Sequence, residues 1–217
     1  MTLDFTLILI IITTVSSIYG WNNPELQHKW MFNPYATYHG KQYYRFLSSG
    51  FIHSNTMHLL FNMIVLFFFG GVIERIYTNN FGPTGMIFYL ITYLGGIIVA
   101  NIRTFFKYRD VDHYNSLGAS GGVASILFAS IIYRPTSSIC IYFALCIPAF
   151  ILGILYLVYS YFAAKRSGDN INHDAHLYGS LFGVIFTIIL RPVVILKFFE
   201  RIKNFDLYEF QFLSTLF

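Results

Sequence analysis

Three groups of polar residues interrupt stretches that are otherwise apolar. The first runs His53-Ser54-Asn55-Thr56-Met57-His58 and continues to Asn62. The second is Gly118-Ala119-Ser120-Gly121-Gly122. The third is His173-Asp174-Ala175-His176, followed by Gly179 and Gly183. A hydroxyl, an imidazole and further Asn/His donors are the parts of an acyl-transfer site. Serine attacks, a histidine within about 3 Å takes its proton, and fixed donors receive the oxyanion.

Each group also has a plainer reading. Gly/Ser runs let helices pack closely in membranes, and a histidine in a span can simply bond to a backbone carbonyl. His58 and Asn62, at i and i+4, share one helix face and can serve only to bridge helices. The run at Ser120 also matches G-x-S-x-G, the nucleophile elbow of soluble hydrolases, which needs a strand before it and a helix after it. Here the polar loop Asp110–Ser116 precedes it and an apolar run follows, so the elbow reading fails. Gly179 and Gly183 form a G-x-x-x-G pair one turn beyond His176. If the helix they admit is the one carrying Gly118–Gly122, the close crossing brings Ser120 to His176. Asp174, two residues from His176, faces elsewhere on a helix and is not a third catalytic member.

The elements that carry these groups are read from composition and block length. Of 217 residues, 56% are hydrophobic, 20% aromatic and only 11% charged, against about 25% charged in a soluble domain. With a mean hydropathy of +0.58, lipid is the expected main solvent. Six spans are expected: Leu3–Gly20, Met57–Ile73, Gly85–Asn101, Leu117–Tyr133, Ile139–Ala164 and Ala175–Leu190, each near the length that crosses about 30 Å of hydrocarbon. The first has Asp4 and no Lys or Arg before its apolar run, so it reads as a retained helix rather than a signal peptide. The connection Trp21–Asn55 is rich in Trp, Tyr and His and is expected to lie partly in the bilayer. Pro148 is expected to kink the fifth span. Cys140 and Cys146 fall in that span, where helical spacing puts their Cα atoms about 9 Å apart, beyond disulfide reach. The chain reads as one membrane domain over 1–217, with a core of about 40–192 and an amphipathic tail over 193–217.

The net charge of +4 is scattered over short loops and the tail, which fits membrane-surface contact and gives no nucleic-acid patch. Charge bias opposes one orientation. With the termini inside, six basic residues (Arg75, Arg134, Arg191, Lys197, Arg201, Lys203) lie inside and eight (Lys29, Lys41, Arg45, Arg103, Lys107, Arg109, Lys165, Arg166) outside, against the usual rule.

Taken together, the groups resemble the rhomboid family of intramembrane serine proteases over roughly Tyr44 to Gly183. His53, His58 and Asn62 match its H-x(4)-H-x(3)-N. Gly70-Gly71-Val72-Ile73-Glu74 resembles the G-G-x-x-E that closes the second helix. Gly118-Ala119-Ser120-Gly121 matches G-x-S-G, and Ala175-His176-Leu177-Tyr178-Gly179 matches A-H-x-x-G. Tyr44-Arg45 stands where the family often has Trp-Arg. The resemblance implies an all-α membrane protein of six transmembrane helices with a partly embedded first loop. Ser120 would be the nucleophile and His176 the base. The Ser120 N–H, His58 and Asn62 would form the oxyanion hole, with His53, Gly118, Gly121 and Gly179 in support, and Glu74 and Arg75 structural. It implies no metal or cofactor, transmembrane proteins as substrates, a bacterial cytoplasmic (inner) membrane, and cytoplasmic termini. Ala124 stands where some relatives carry a Tyr that stacks on the catalytic histidine, and His173-Asp174 replaces an Asn-Gly, so His173 or Tyr178 is the expected support for His176. The competing readings are a catalytically inactive rhomboid-like protein that binds membrane clients, and a transporter using the buried polar groups as a pathway.

Overall fold

A computed structural model describes residues 4–141, 145–165 and 172–206. Leu3, Arg166 and the tail from Leu207 lie outside them.

Helix α1 (Phe5–Asn22) begins at Asp4, whose carboxylate accepts from the Leu7 N–H at 3.1 Å. Its first turn is also tied down from a distance. The buried Glu74 carboxylate accepts from the N–H groups of Phe5 (2.8 Å) and Thr6 (3.0 Å) and from the Thr6 hydroxyl (2.7 Å). Helix starts leave N–H groups without partners, and these three donors are what make a buried carboxylate tolerable. Glu74 thus has the structural place expected of it.

Three short helices fill the connection after α1: α2 (Pro24–Trp30), α3 (Pro34–His39) and α4 (Arg45–Ser48). The buried Arg45 holds them together, donating to the carbonyls of His28 (2.8 Å) and Met31 (2.7 Å) and to the Gln42 amide oxygen (2.6 Å).

Next come α5 (Thr56–Val65), a π turn (Leu66–Gly70) and α6 (Gly71–Phe81), which form one 26-residue helix. The Gly70-Gly71 pair does not close this helix near Ile73 as expected; Gly82, at φ 61°, ends it. Gly70 instead permits close packing, because a Cβ there would lie 2.7 Å from Thr6 Cγ2 and 2.9 Å from the Tyr89 hydroxyl.

Helices α7 (Thr84–Tyr108) and α8 (Ser120–Tyr133) follow, then strands β1 (Ser138–Ile141) and β2 (Leu145–Pro148). Helices α9 (Ala149–Ala163), α10 (His173–Leu190) and α11 (Val193–Lys203) complete the described chain. The fifth expected span is therefore shorter than read. Its first third is an antiparallel hairpin pairing Ser138 with Pro148 and Cys140 with Cys146, and the fold is not purely α. Pro148 does not kink a helix. With no N–H to donate, it closes the ladder and α9 starts after it. The pairing brings the cysteine Cα atoms to 3.9 Å, and the two are disulfide-bonded, which overturns the expectation of two separate thiols.

Four helices are long and apolar enough to cross a membrane (α1, α5–α6, α7 and α10), while α8 and α9 are shorter apolar helices. Polarity is distributed as lipid demands. Thr13, Thr92, Ser125, Ser160, Ser180 and Thr187 are buried, while Ile11, Phe68, Phe106, Ile154 and Ile189 face outward. Small polar residues at helix interfaces with large apolar ones outside is the membrane arrangement. At the centre, Tyr77, Tyr89 and Tyr93 are wholly buried with Leu66, Ile97 and Ile126.

Candidate active site

Helices α5, α8 and α10 all begin at one end of the bundle, and the three polar groups of the sequence sit at those beginnings. Each start is held by its own sequence. Asn55 caps α5, its side-chain oxygen accepting from the His58 N–H at 2.9 Å. Asn172 caps α10 through the Ala175 N–H at 3.1 Å and exchanges hydrogen bonds with Thr104 of α7.

Ser120, half-buried, is the first residue of α8, where N–H groups lack partners within the helix. The backbone approaching it is shaped by Gly118 at φ 131°, a conformation that favours glycine. A Cβ on Gly118 would lie 2.6 Å from His58 Cε1 and 2.8 Å from its Nε2. The glycine thus admits both the turn and the His58 ring, two residues before Ser120.

His53 supports the same turn. Its Nε2 accepts the Ala119 N–H at 3.2 Å, so Nδ1 carries the proton and donates to the Ser17 hydroxyl at 3.0 Å. Ser17 in turn donates to the Thr13 carbonyl. Burial, and to a lesser degree the neighbouring His58, push the His53 imidazole down to about 3, which keeps it neutral and able to accept. The His53 and His58 rings meet edge to face, 4.9 Å between centroids. His58 Nδ1 lies 3.2 Å from the Ser54 hydroxyl. Asn62 is buried and donates to the His58 carbonyl of its own helix at 2.8 Å.

Helices α8 and α10 touch backbone to backbone. A Cβ on Gly179 would run into the Gly121 carbonyl and lie 2.9 Å from its Cα. One on Gly183 would run into Ser125. The Ser125 hydroxyl lies 2.7 Å from the Gly179 carbonyl and 3.1 Å from that of Gly121, so it bridges the two helices at their closest point. The glycine pair read as a close-packing surface does meet the helix of Gly118–Gly122. Ser120 directly precedes Gly121, and His176 stands one turn before Gly179.

The surroundings of half-buried His176 differ in part from expectation. His173 lies edge-on to it at 5.9 Å. Tyr178 is engaged elsewhere, its hydroxyl accepting from Arg103 at 3.2 Å with the guanidinium over its ring. The aromatic face beside His176 comes instead from Tyr156 of α9, at 6.1 Å and inclined by only 22°. Sequence reading passed over Tyr156 because Tyr156, Tyr159 and Tyr161 share one apolar run, and nothing in that run says which faces inward. Asp174 pairs with Arg103 (3.0 Å) and Lys107 (3.7 Å) of α7, consistent with its exclusion from a triad. Among the described residues, no group of three or more His, Cys, Asp or Glu is placed to hold a metal ion.

A family model described as Rhomboid domain matches residues 40–193. RHOMBOID-like protein 12, mitochondrial, of Arabidopsis thaliana is 31% identical over 151 residues, covering 64% of this chain and 44% of that protein. The chain thus spans less than half the length of that relative.

Proposed function

Since the chain belongs to the rhomboid family and carries helices apolar enough to make it an integral membrane protein, we propose that it is an intramembrane serine endopeptidase working through a Ser120–His176 dyad. The observation that carries this reading is the backbone contact of Gly121 with Gly179, which supports a short approach between the residues flanking it. In the proposed reaction the Ser120 hydroxyl attacks a peptide carbonyl while His176 takes its proton. The amine leaves with that proton, and His176 then activates water to release the acyl group.

The Ser120 N–H, His58 and Asn62 receive the developing oxyanion. Asn62 has a second amide proton beyond the one donated to the His58 carbonyl, and the His58 ring lies against Gly118. Substrates are transmembrane segments of other proteins, and no cofactor takes part. The proposed location is a bacterial cytoplasmic membrane; the plant relative is named as a mitochondrial protein.

The reading is tested by treating the detergent-solubilised protein with a fluorophosphonate and mapping the modified residue. Label on Ser120, absent from Ser120→Ala, supports a protease. No label on the folded wild type favours a client-binding homologue without catalysis.

A further inference from the structure

At the end of the bundle opposite the dyad, the ends of α6 and α8, the turn after α10 and helix α11 enclose a cleft of about 450 Å³, within the range of small-ligand sites. Five cationic side chains line it: Arg75, Arg134, Arg191, Lys197 and Arg201. No carboxylate lines it among the described residues, and Glu200, although on α11, is not part of its wall. Like charges gathered this way repel one another and call for an anion.

Their bonding leaves them available. Arg191 donates to the Asn80 side-chain oxygen and Arg201 to the Tyr133 carbonyl, each keeping further guanidinium N–H groups. The side chains of Arg75, Arg134 and Lys197 make no hydrogen bond or ion pair among the described residues. Asn79, exposed at the rim, adds an uncharged donor and acceptor.

We propose that this cleft binds the phosphodiester headgroup of an anionic glycerophospholipid. A lipid rather than free phosphate is indicated by what surrounds the cations. Val72, Ile76 and Val194 give the cleft an apolar wall along which a glycerol backbone and acyl chains can leave. Helix α11 exposes Leu196 and Phe199 while sending Lys197 and Arg201 to the cleft. Such a helix lies in the interface with its apolar face among the acyl chains, which sets the cleft at headgroup depth. The inference does not depend on catalysis at Ser120.

The test is native mass spectrometry of the full chain released from phosphatidylcholine nanodiscs doped with phosphatidylglycerol. Wild type should retain phosphatidylglycerol in preference to phosphatidylcholine. The combined variant Arg75→Gln/Arg134→Gln/Lys197→Gln removes only side chains that bond to nothing else described, so folding should hold. It should lose the preference by about tenfold or more, as expected for three cations near a bilayer surface. Lys29→Gln/Lys41→Gln/Arg109→Gln, which removes as much charge from the opposite end, should keep it. Equal retention in both variants, or equal loss, overturns the site. So does a wild type whose melting point rises with inorganic phosphate but not with phosphatidylglycerol, since the cleft would then take the free anion.

Discussion

Gly179 of α10 packs against the backbone of Gly121 of α8, and neither position has room for a side chain, the first because of Gly121 itself and the second because of α7. A Cβ on Gly179 would run into the Gly121 carbonyl, and one on Gly121 would run into the Ala100 side chain and lie 3.0 Å from the Gly96 carbonyl. Three helices therefore converge at the residues next to Ser120 and one turn beyond His176. Gly179→Ala should destabilise the protein by about 1–3 kcal/mol, the usual cost of overpacking, and should lower activity further by spreading α8 from α10. Gly71 is the internal comparison, because a Cβ there meets nothing within 4 Å. Gly71→Ala should be neutral or stabilising by up to about 1 kcal/mol. Thermal unfolding of both variants in one detergent checks this, and equal destabilisation would refute the packing argument.

Tyr156 supplies the ring face beside His176 that no residue of α8 provides, position 124 being alanine. Its proposed role is to hold the imidazole plane. Tyr156→Phe keeps the ring and should stay near wild-type turnover. Tyr156→Leu should lose about 10- to 100-fold, as misplaced catalytic groups do, with little change in KM. A Leu variant that is fully active but less heat-stable would reduce Tyr156 to core packing.

What the sequence made legible, and what it hid, divides along physical lines. His58 and Asn62 could be placed together because helical spacing fixes which side chains share a face, whereas His53 lies before α5 and was legible only through the family pattern. The Gly179/Gly183 surface was readable because only close helix packing favours such a pair. Tyr156 was hidden because it depends on the rotation of α9, and a helix apolar all round carries no phase signal. The hairpin was hidden for a related reason. Ile139, Cys140, Cys146 and Ile147 read equally well as a continuous apolar run, and a short apolar strand cannot be told from a buried helix by periodicity. Pro148 is the one signal in that run, since proline marks a helix start more naturally than a kink. Gly70-Gly71 misled in the opposite direction, suggesting a stop where the glycine serves the approach of Thr6 and Tyr89.

His53 gives the protein a pH-dependent stability whose sign follows from its burial. In the folded chain the imidazole is pushed down to about 3, against about 6.5 when unfolded. Between those values the unfolded chain binds a proton that the folded chain refuses, so stability rises with pH across this window. The contribution is complete above about pH 6.5 and is lost progressively as pH falls toward about 3. The melting temperature should therefore drop on going from about pH 7 to about pH 5, and His53→Asn should show a smaller drop because nothing titrates there. An equal drop in both would assign the effect to other groups.

Orientation is the next expectation. Cytoplasmic termini turn the beginnings of α5, α8 and α10 outward, and place the Cys140–Cys146 hairpin on the inner side with α11, whose following Phe205 touches Phe150. Disulfides are rare in a reducing cytoplasm, so the Cys140–Cys146 bond counts, like the basic residues, against this orientation. If the orientation holds, freshly lysed cells should contain both cysteines reduced and reactive with maleimide. A reporter fused after Phe217 should also read as cytoplasmic. An external reporter together with unreactive cysteines would reverse the orientation, and would agree with the basic-residue count.

The central claim is that Ser120 and His176 act as one chemical unit, and a double-mutant comparison of cleavage rates tests it most directly. The purified wild type, Ser120→Ala, His176→Ala and the double variant would be assayed on a transmembrane reporter in proteoliposomes. Residues sharing one step are strongly non-additive. Ser120→Ala should abolish cleavage, His176→Ala should cost nearly as much, and the double variant should be scarcely worse than either alone. Cleavage that persists in Ser120→Ala, or losses that simply multiply in the double variant, would contradict the dyad.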